Sequence, residues 1–159
     1  MIRTGTGIEA VANSADFGWD LHDNFANQTN GRRAQNLNAL AEVLAAFARV
    51  LGSDLARVTM VVTTGFGRTL RENGGLGVDH GRASTMFVMG GGIQGGIYVN
   101  WPGLTPVKID GNVPRFTVDY RSVLADILQH RLGTANTRAV LPGYVDTPAK
   151  RLNLVAPIV

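Results

Sequence analysis

The sequence predicts an α/β domain with a mainly parallel sheet flanked by helices. Residues 33–51 carry apolar side chains at the helical spacing, and Gly52 follows the last of them, as at many helix ends. Residues 57–64 (RVTMVVTT) are β-branched and almost continuously apolar, which is typical of a strand buried on both faces of a parallel sheet. A helix followed by such a strand indicates half of a right-handed βαβ unit.

Other segments extend this prediction. We expect strands over residues 5–15, in STMFVMGGG (84–92) and in GGIYVNW (95–101), and a second helix within residues 114–133 that ends at Gly133. The glycine-rich stretch 65–82 follows the strand at 57–64 and predicts a long polar loop. Open α/β sheets place their sites at the carboxyl ends of strands, so this loop is a candidate site.

Composition limits the possible functions. A chain of 159 residues predicts a single domain over residues 1–159. Its net charge of +3 comes from dispersed arginines, which argues against a nucleic-acid partner. Cysteine is absent, so any metal must be bound by His, Asp, Glu or hydroxyl groups. The sequence predicts no membrane span and no signal peptide, because it lacks an apolar run of about 20 residues and a charged-then-apolar start.

Two pairs of polar residues are candidate metal ligands. Asp20 and His22 lie two residues apart, so on an extended segment both side chains point the same way, towards a divalent metal. The alternative is an aspartate that caps a turn and a histidine bonded to the backbone. Asp79 and His80 are adjacent, so they can bind one metal only from a bent loop, or neighbouring metals of a two-metal site, unless the loop is simply solvated.

The same loop carries two candidate anion-binding residues. Arg68 and Arg82 flank it and can hold an anionic group through paired hydrogen bonds, or they are ordinary surface arginines.

Two other features are not expected to carry chemistry. The run GGGIQGG (90–96) follows a predicted strand but precedes another strand, whereas a dinucleotide site needs a helix there, so no nucleotide cofactor is expected. His130, near the end of the second predicted helix, is favoured there by the helix dipole and is interpreted as structural.

The order of several motifs resembles a known bacterial family. GWDLH, TTGFGRT, DHGR, MFVMGGGIQGG and DYRSVLADIL occur here in the order in which the domain of unknown function 1501 family carries GWDTH, SEFGRT, DHG, GGGVxGG and DYRSV. The resemblance covers residues 17 to about 143. It implies the C-terminal half of an alkaline phosphatase-like or sulfatase-like fold, with metal ligands at the ends of strands. The chain would then be a partial form of a larger fold.

Carried over by motif, the resemblance implies Asp20, His22, Asp79 and His80 as ligands of zinc, manganese, magnesium or calcium, with Arg68 and Arg82 near an anionic small molecule. Two departures point to lost activity. Gly65 replaces the family's glutamate, and no serine or threonine can be assigned as the nucleophile, so the catalytic residues are unknown.

Two functions follow as hypotheses. The first is a metal-dependent phosphate or sulfate ester hydrolase-like domain that is incomplete or inactive in isolation. The second is a non-catalytic structural or accessory subunit built on a degenerate form of that fold. Half of a larger fold leaves a sheet edge uncovered, so we expect a homo-oligomer or a partner subunit there. The resemblance implies export of full-length forms to the periplasm or cell envelope.

Overall fold

The structure is a computed structural model that describes residues 18–23 and 31–156. The strand predicted over residues 5–15 lies outside these residues. The described chain contains two α-helices and six short strands. They are α1 (Arg32–Leu51), β1 (Thr59–Val62), β2 (Gly67–Arg68), β3 (His80–Gly81), β4 (Phe87–Gly90), β5 (Ile109–Asp110), β6 (Val113–Pro114) and α2 (Tyr120–His130).

The prediction of an α/β fold with a mainly parallel sheet is wrong. The strands of the described residues form three separate antiparallel pairs, β1 with β4, β2 with β3, and β5 with β6. Two of the apolar runs predicted as strands of that sheet contain β1 and β4, which pair with each other, Thr59 opposite Gly90 and Val62 opposite Phe87. The chain between them turns back as the β2–β3 hairpin instead of crossing over through a helix, and antiparallel pairs need no such crossover.

The apolar composition of β1 gave a misleading signal. All four of its residues are only partly buried, so the strand is not covered on both faces as in a parallel sheet. Residues 95–101, predicted as a third strand, form no strand, and Ile97 within them is 92% exposed. An apolar run alone therefore does not decide between a buried strand and an exposed segment.

Helix α1 confirms the predicted helix to within one residue. It ends at Leu51 and is followed by Gly52, which has a φ of 52° and is the predicted C-cap. The helix was expected to pack one face against a core, but only Asn36 and Leu51 are buried, while Val43 and Val50 are exposed. A 3-10 turn (Gly52–Arg57) connects α1 directly to β1.

Helix α2 organises the buried part of the molecule. Its N-cap, Asp119, accepts a hydrogen bond from the backbone N–H of Arg121. Two small apolar clusters lie against the helix, one with Leu154 and Val155 and the other with Leu141 and Tyr144. The core is therefore formed by α2 and the C-terminal segment. None of the helices within the described residues is long and apolar enough to cross a membrane.

Candidate metal centre

The site is formed by two segments that are distant in the sequence. Residues 18–23 lie against the β2–β3 hairpin, in which Arg68 is paired with His80. Gly77, between the two strands, makes this approach possible: a Cβ atom there would overlap the backbone of His22 and Asp23. Glycine is thus required at position 77 for steric reasons.

Three ligand-bearing side chains converge where these segments meet. Asp20, His22 and His80 offer ligand atoms that all lie within 4.8 Å of one another. One oxygen is the common partner, because Asp20 Oδ1 is 3.0 Å from His22 Nε2 and 2.7 Å from His80 Nε2. Two imidazole nitrogens and one carboxylate oxygen are a donor set that suits zinc and similar divalent cations. These three residues can hold a metal ion.

Asp79, the fourth predicted ligand, occupies a different position. Its Oδ1 lies 2.9 Å from His22 Nδ1, on the other side of the imidazole ring from Asp20. The adjacent residues Asp79 and His80 therefore diverge, as their spacing on extended backbone predicts, and contact different partners. The structure brings all four predicted ligands together, but only three of them form the convergent cluster.

Asn73 connects the two segments. Its Nδ2 donates hydrogen bonds to Asp79 Oδ1 (3.0 Å) and to the carbonyl of His22 (2.9 Å). Its Oδ1 accepts from the backbone N–H groups of Gly75 (2.9 Å) and Gly77 (3.0 Å). The asparagine thus fixes both the loop and the aspartate behind His22. Sequence reasoning missed Asn73, although an asparagine before two glycines is a recognised turn signal.

The two predicted anion-binding arginines lie in different surroundings. Arg68 donates to the carbonyls of Trp19 (2.5 Å) and Val78 (2.9 Å), and its Nη2 is 3.6 Å from Asp20 Oδ1. It therefore ties residues 18–23 to the hairpin. Arg82 forms an ion pair with Asp110 of β5. Their role in binding an anion stays a prediction.

Aromatic contacts support His80. The ring of Phe66 stacks on the His80 imidazole with centroids 4.0 Å apart, and the Arg68 guanidinium lies 4.7 Å from the Phe66 centroid. Such stacking restricts the orientation of the ring. Phe66 is a second supporting residue that the sequence analysis did not single out.

The charges of the cluster stabilise one another. The hydrogen bond with His80 lowers the pKa of Asp20 below its usual 3.8. The hydrogen bond with His22, together with that from Asn73, lowers the pKa of Asp79. The hydrogen bond to Asp79, followed by the nearby charge of Asp20, raises the pKa of His22 above 6.5. Both carboxylates are therefore ionised at neutral pH and can accept hydrogen bonds or bind a cation.

The cluster is open to solvent. Between 47% and 59% of each of the four side chains is exposed, so water or a small ligand can reach a cation held there. Gly65, where the family's glutamate is missing, is also exposed, and nothing lies within 4 Å of the place that a Cβ would take.

A wide groove begins beside the cluster. It has a volume of about 1280 Å³, and its lining includes Phe66, which stacks on His80, together with Gly81 and Arg82, which follow His80 in the sequence. Much of its remaining lining is apolar and exposed, including Phe87, Trp101 and Phe116. Thr64 and Ser84 also line the groove, and their hydroxyl oxygens are hydrogen-bonded at 2.9 Å.

Comparison with known proteins gives one result. The model of a family described as "Protein of unknown function (DUF1501)" matches residues 1–144. No curated protein and no solved structure matches the chain.

Proposed function

This chain belongs to the DUF1501 family, and from its convergent side chains we propose that it is a divalent-cation-binding, hydrolase-like domain. The observation that carries the proposal is the meeting of Asp20, His22 and His80 within 4.8 Å. These residues come from two segments that are far apart in the sequence, since Asp20 and His80 are separated by 60 positions. Three protein ligands with solvent access are the arrangement of a catalytic metal site, which keeps one position open.

Each residue has a defined part in the proposed site. Asp20, His22 and His80 would hold the cation, which supplies Lewis-acid polarisation of a phosphate or sulfate ester and activation of water. Arg68 fixes Asp20 through its contacts with Trp19 and the carboxylate. Gly65 stands where the family carries a glutamate, and no serine or threonine of the sequence can be assigned as the nucleophile. We therefore propose the cation site for this chain and not a complete ester hydrolysis.

The test is direct measurement of metal binding. The full chain is titrated by calorimetry with zinc, manganese, magnesium and calcium, and the bound metal is counted by elemental analysis. We expect one of these ions to bind with a stoichiometry near one. His22→Ala and His80→Ala should each lower its affinity by more than the roughly 10–100-fold that loss of an outer-shell partner causes.

The third histidine provides the matched control. His130 lies 3.6 Å from Asp126, outside the cluster, so His130→Gln should leave the affinity unchanged. A wild-type chain that binds none of the four ions would overturn the proposal. Equal losses in all three histidine variants would also contradict it, because they would indicate a general structural effect.

A second candidate is a non-catalytic accessory subunit. The groove beside the cluster favours it, because this surface leaves large apolar side chains open, among them Phe87 (53% exposed) and Trp101 (63% exposed). Exposed apolar patches of this kind mark protein interfaces. In this case a homo-oligomer or partner subunit would cover the groove. Light scattering of the wild type and of Trp101→Ala tests self-association: we expect an oligomer that Trp101→Ala weakens, and a monomeric wild type would leave only a different partner subunit to cover the groove.

A further inference from the structure

We propose that Asp79 is a positioning residue and not a metal ligand, and that Asn73 holds it in place behind His22. This inference rests on the proposed cation site and assigns the nitrogen through which His22 binds. His22 would bind through Nε2, while its Nδ1–H stays bonded to Asp79. A histidine ligand commonly donates its second N–H to a carboxylate, which fixes its tautomer and orientation.

The hydrogen bonds determine this arrangement. An ionised carboxylate has only acceptors, so in the 2.9 Å contact with Asp79 Oδ1 it is His22 Nδ1 that donates. The opposite nitrogen, Nε2, lies 3.0 Å from Asp20 Oδ1, the same oxygen that His80 Nε2 approaches to 2.7 Å. The two Nε2 atoms therefore face a common point, and Nδ1 faces away from it.

Asn73 completes the chain of contacts. Its Nδ2 donates to the same Asp79 Oδ1 that His22 contacts, at 3.0 Å, and also to the His22 carbonyl at 2.9 Å. One amide group therefore holds both ends of the pair, the carboxylate and the backbone of the histidine. The N–H of Asp79 donates to the Thr69 hydroxyl at 3.0 Å, which anchors the aspartate backbone as well. Asp79 is thus held in place from three sides.

The decisive measurement uses ¹¹³Cd²⁺ and the full chain labelled with ¹⁵N at histidine. We expect scalar coupling of cadmium to Nε2 of His22 and His80, with Nδ1 of His22 uncoupled and protonated. Coupling to Nδ1 of His22 would overturn the assignment.

Affinity measurements separate positioning from ligation. Asp79→Ala should weaken cadmium binding by about 10–100-fold, the range for an outer-shell partner, and leave the His22 and His80 couplings present. Asp79→Asn, which keeps an acceptor for Nδ1–H, should recover part of this loss. If Asp79→Ala removes cadmium as completely as His80→Ala does, Asp79 is a ligand and the inference is wrong.

Asn73→Asp tests the role of the amide. This change keeps the oxygen that accepts from Gly75 and Gly77 but removes the donor to Asp79. We expect weaker cadmium binding in the wild-type background and a much smaller further effect in the Asp79→Ala background. Asn112→Asp is the matched control, because Asn112 Oδ1 accepts from the N–H of Arg71 and does not contact the pair. Equal effects at positions 73 and 112 would contradict the proposal.

The experiments distinguish failure of the proposed cation site from failure of the positioning role of Asp79. A wild-type chain that binds neither cadmium nor any of zinc, manganese, magnesium and calcium would overturn the proposed function. The metal-free spectra would then still test the contact, since Asp79→Asn should shift the Nδ1 resonance of His22 and leave His130 unchanged. No shift at His22 would show that Asp79 does not position it.

Discussion

The metal centre and the α2 core are built in opposite ways. At the metal centre, Asp20, His22, Asp79 and His80 are exposed and are held by hydrogen bonds between side chains. In the core, Asp126 is 3% exposed and accepts from the backbone N–H groups of Leu154 (2.6 Å) and Val155 (3.1 Å). The side chains of Leu154 and Val155 belong to one of the apolar clusters that pack against α2.

This difference shows that folding and binding depend on different residues. Buried apolar area and a satisfied buried carboxylate stabilise the core, and a loss there acts on the whole fold. The site contributes little stability, since solvent screens the attraction between exposed charges. Changes in the two regions should therefore have separable effects.

The largest effect on stability is expected from the core. Leu154 is 3% exposed and packs against Val123 and Val155, so Leu154→Ala should lower the free energy of unfolding by about 2–5 kcal/mol. Urea denaturation measures this change, and Leu37→Ala, at a residue that is 47% exposed, is the control, with an expected change of about 0.5 kcal/mol or less. The remaining folded protein should keep its cation affinity, and a loss of affinity in step with stability would show that the regions are not separate.

A smaller effect on stability, but a specific one on binding, is expected at Gly77. A Cβ at this position overlaps the His22 backbone, so Gly77→Ala should displace residues 18–23 from the hairpin and weaken cation binding. The free energy of unfolding should fall by about 1–3 kcal/mol, as for other overpacking changes. Gly74→Ala is the matched control in the same loop, since nothing lies within 4 Å of its Cβ position. Similar affinities for the two variants would show that the approach at Gly77 does not build the site.

The smallest effect on the free energy of unfolding is expected from a change of pH, which titrates the side chains of the metal-free site. The lowered pKa values of Asp20 and Asp79 give stability that is present above about pH 3.8 and is lost as pH falls through the lowered values. The raised pKa of His22 gives stability that is present below pH 6.5 and is lost as pH rises through the raised value. The site should thus be most stable between about pH 4 and 6.5.

Histidine NMR titration and urea unfolding at several pH values measure this window. In His22→Gln the loss of stability on the alkaline side should disappear, while His130→Gln should keep it. A wild-type chain whose unfolding free energy rises steadily from pH 6 to 9 would contradict the assignment. A bound cation would reverse the alkaline trend, because ligation requires unprotonated imidazole nitrogen.

The sequence predicted the helices well and the sheet poorly. Periodicity and a terminal glycine define α1, because both signals are local. The partner of β1 depends on where the chain goes after Val62, and apolar content carries no information about strand direction. The short β2–β3 hairpin inside the polar loop lacked an apolar pattern and could not be foreseen.

The proximity of the candidate site residues was more predictable than the fold. Asp20, His22, Asp79 and His80 are identifiable by residue type and motif order, and the structure brings them together. The sequence could not predict that three of these residues converge while Asp79 contacts the far side of His22, because this depends on how residues 18–23 cross the loop at Gly77. Asn73 was missed because its role lies in contacts with His22 and Asp79, which are 51 and 6 positions away.

The separation of the ligands along the chain has a consequence for the unfolded state. Asp20 and His80 are 60 positions apart and enclose all of α1. In the unfolded chain these ligands no longer meet, so a cation held in the proposed site would be released on unfolding. It would therefore stabilise the folded chain by preferential binding, by an amount that rises with the concentration of the free ion. A chelator would then remove this stabilisation without breaking a covalent bond.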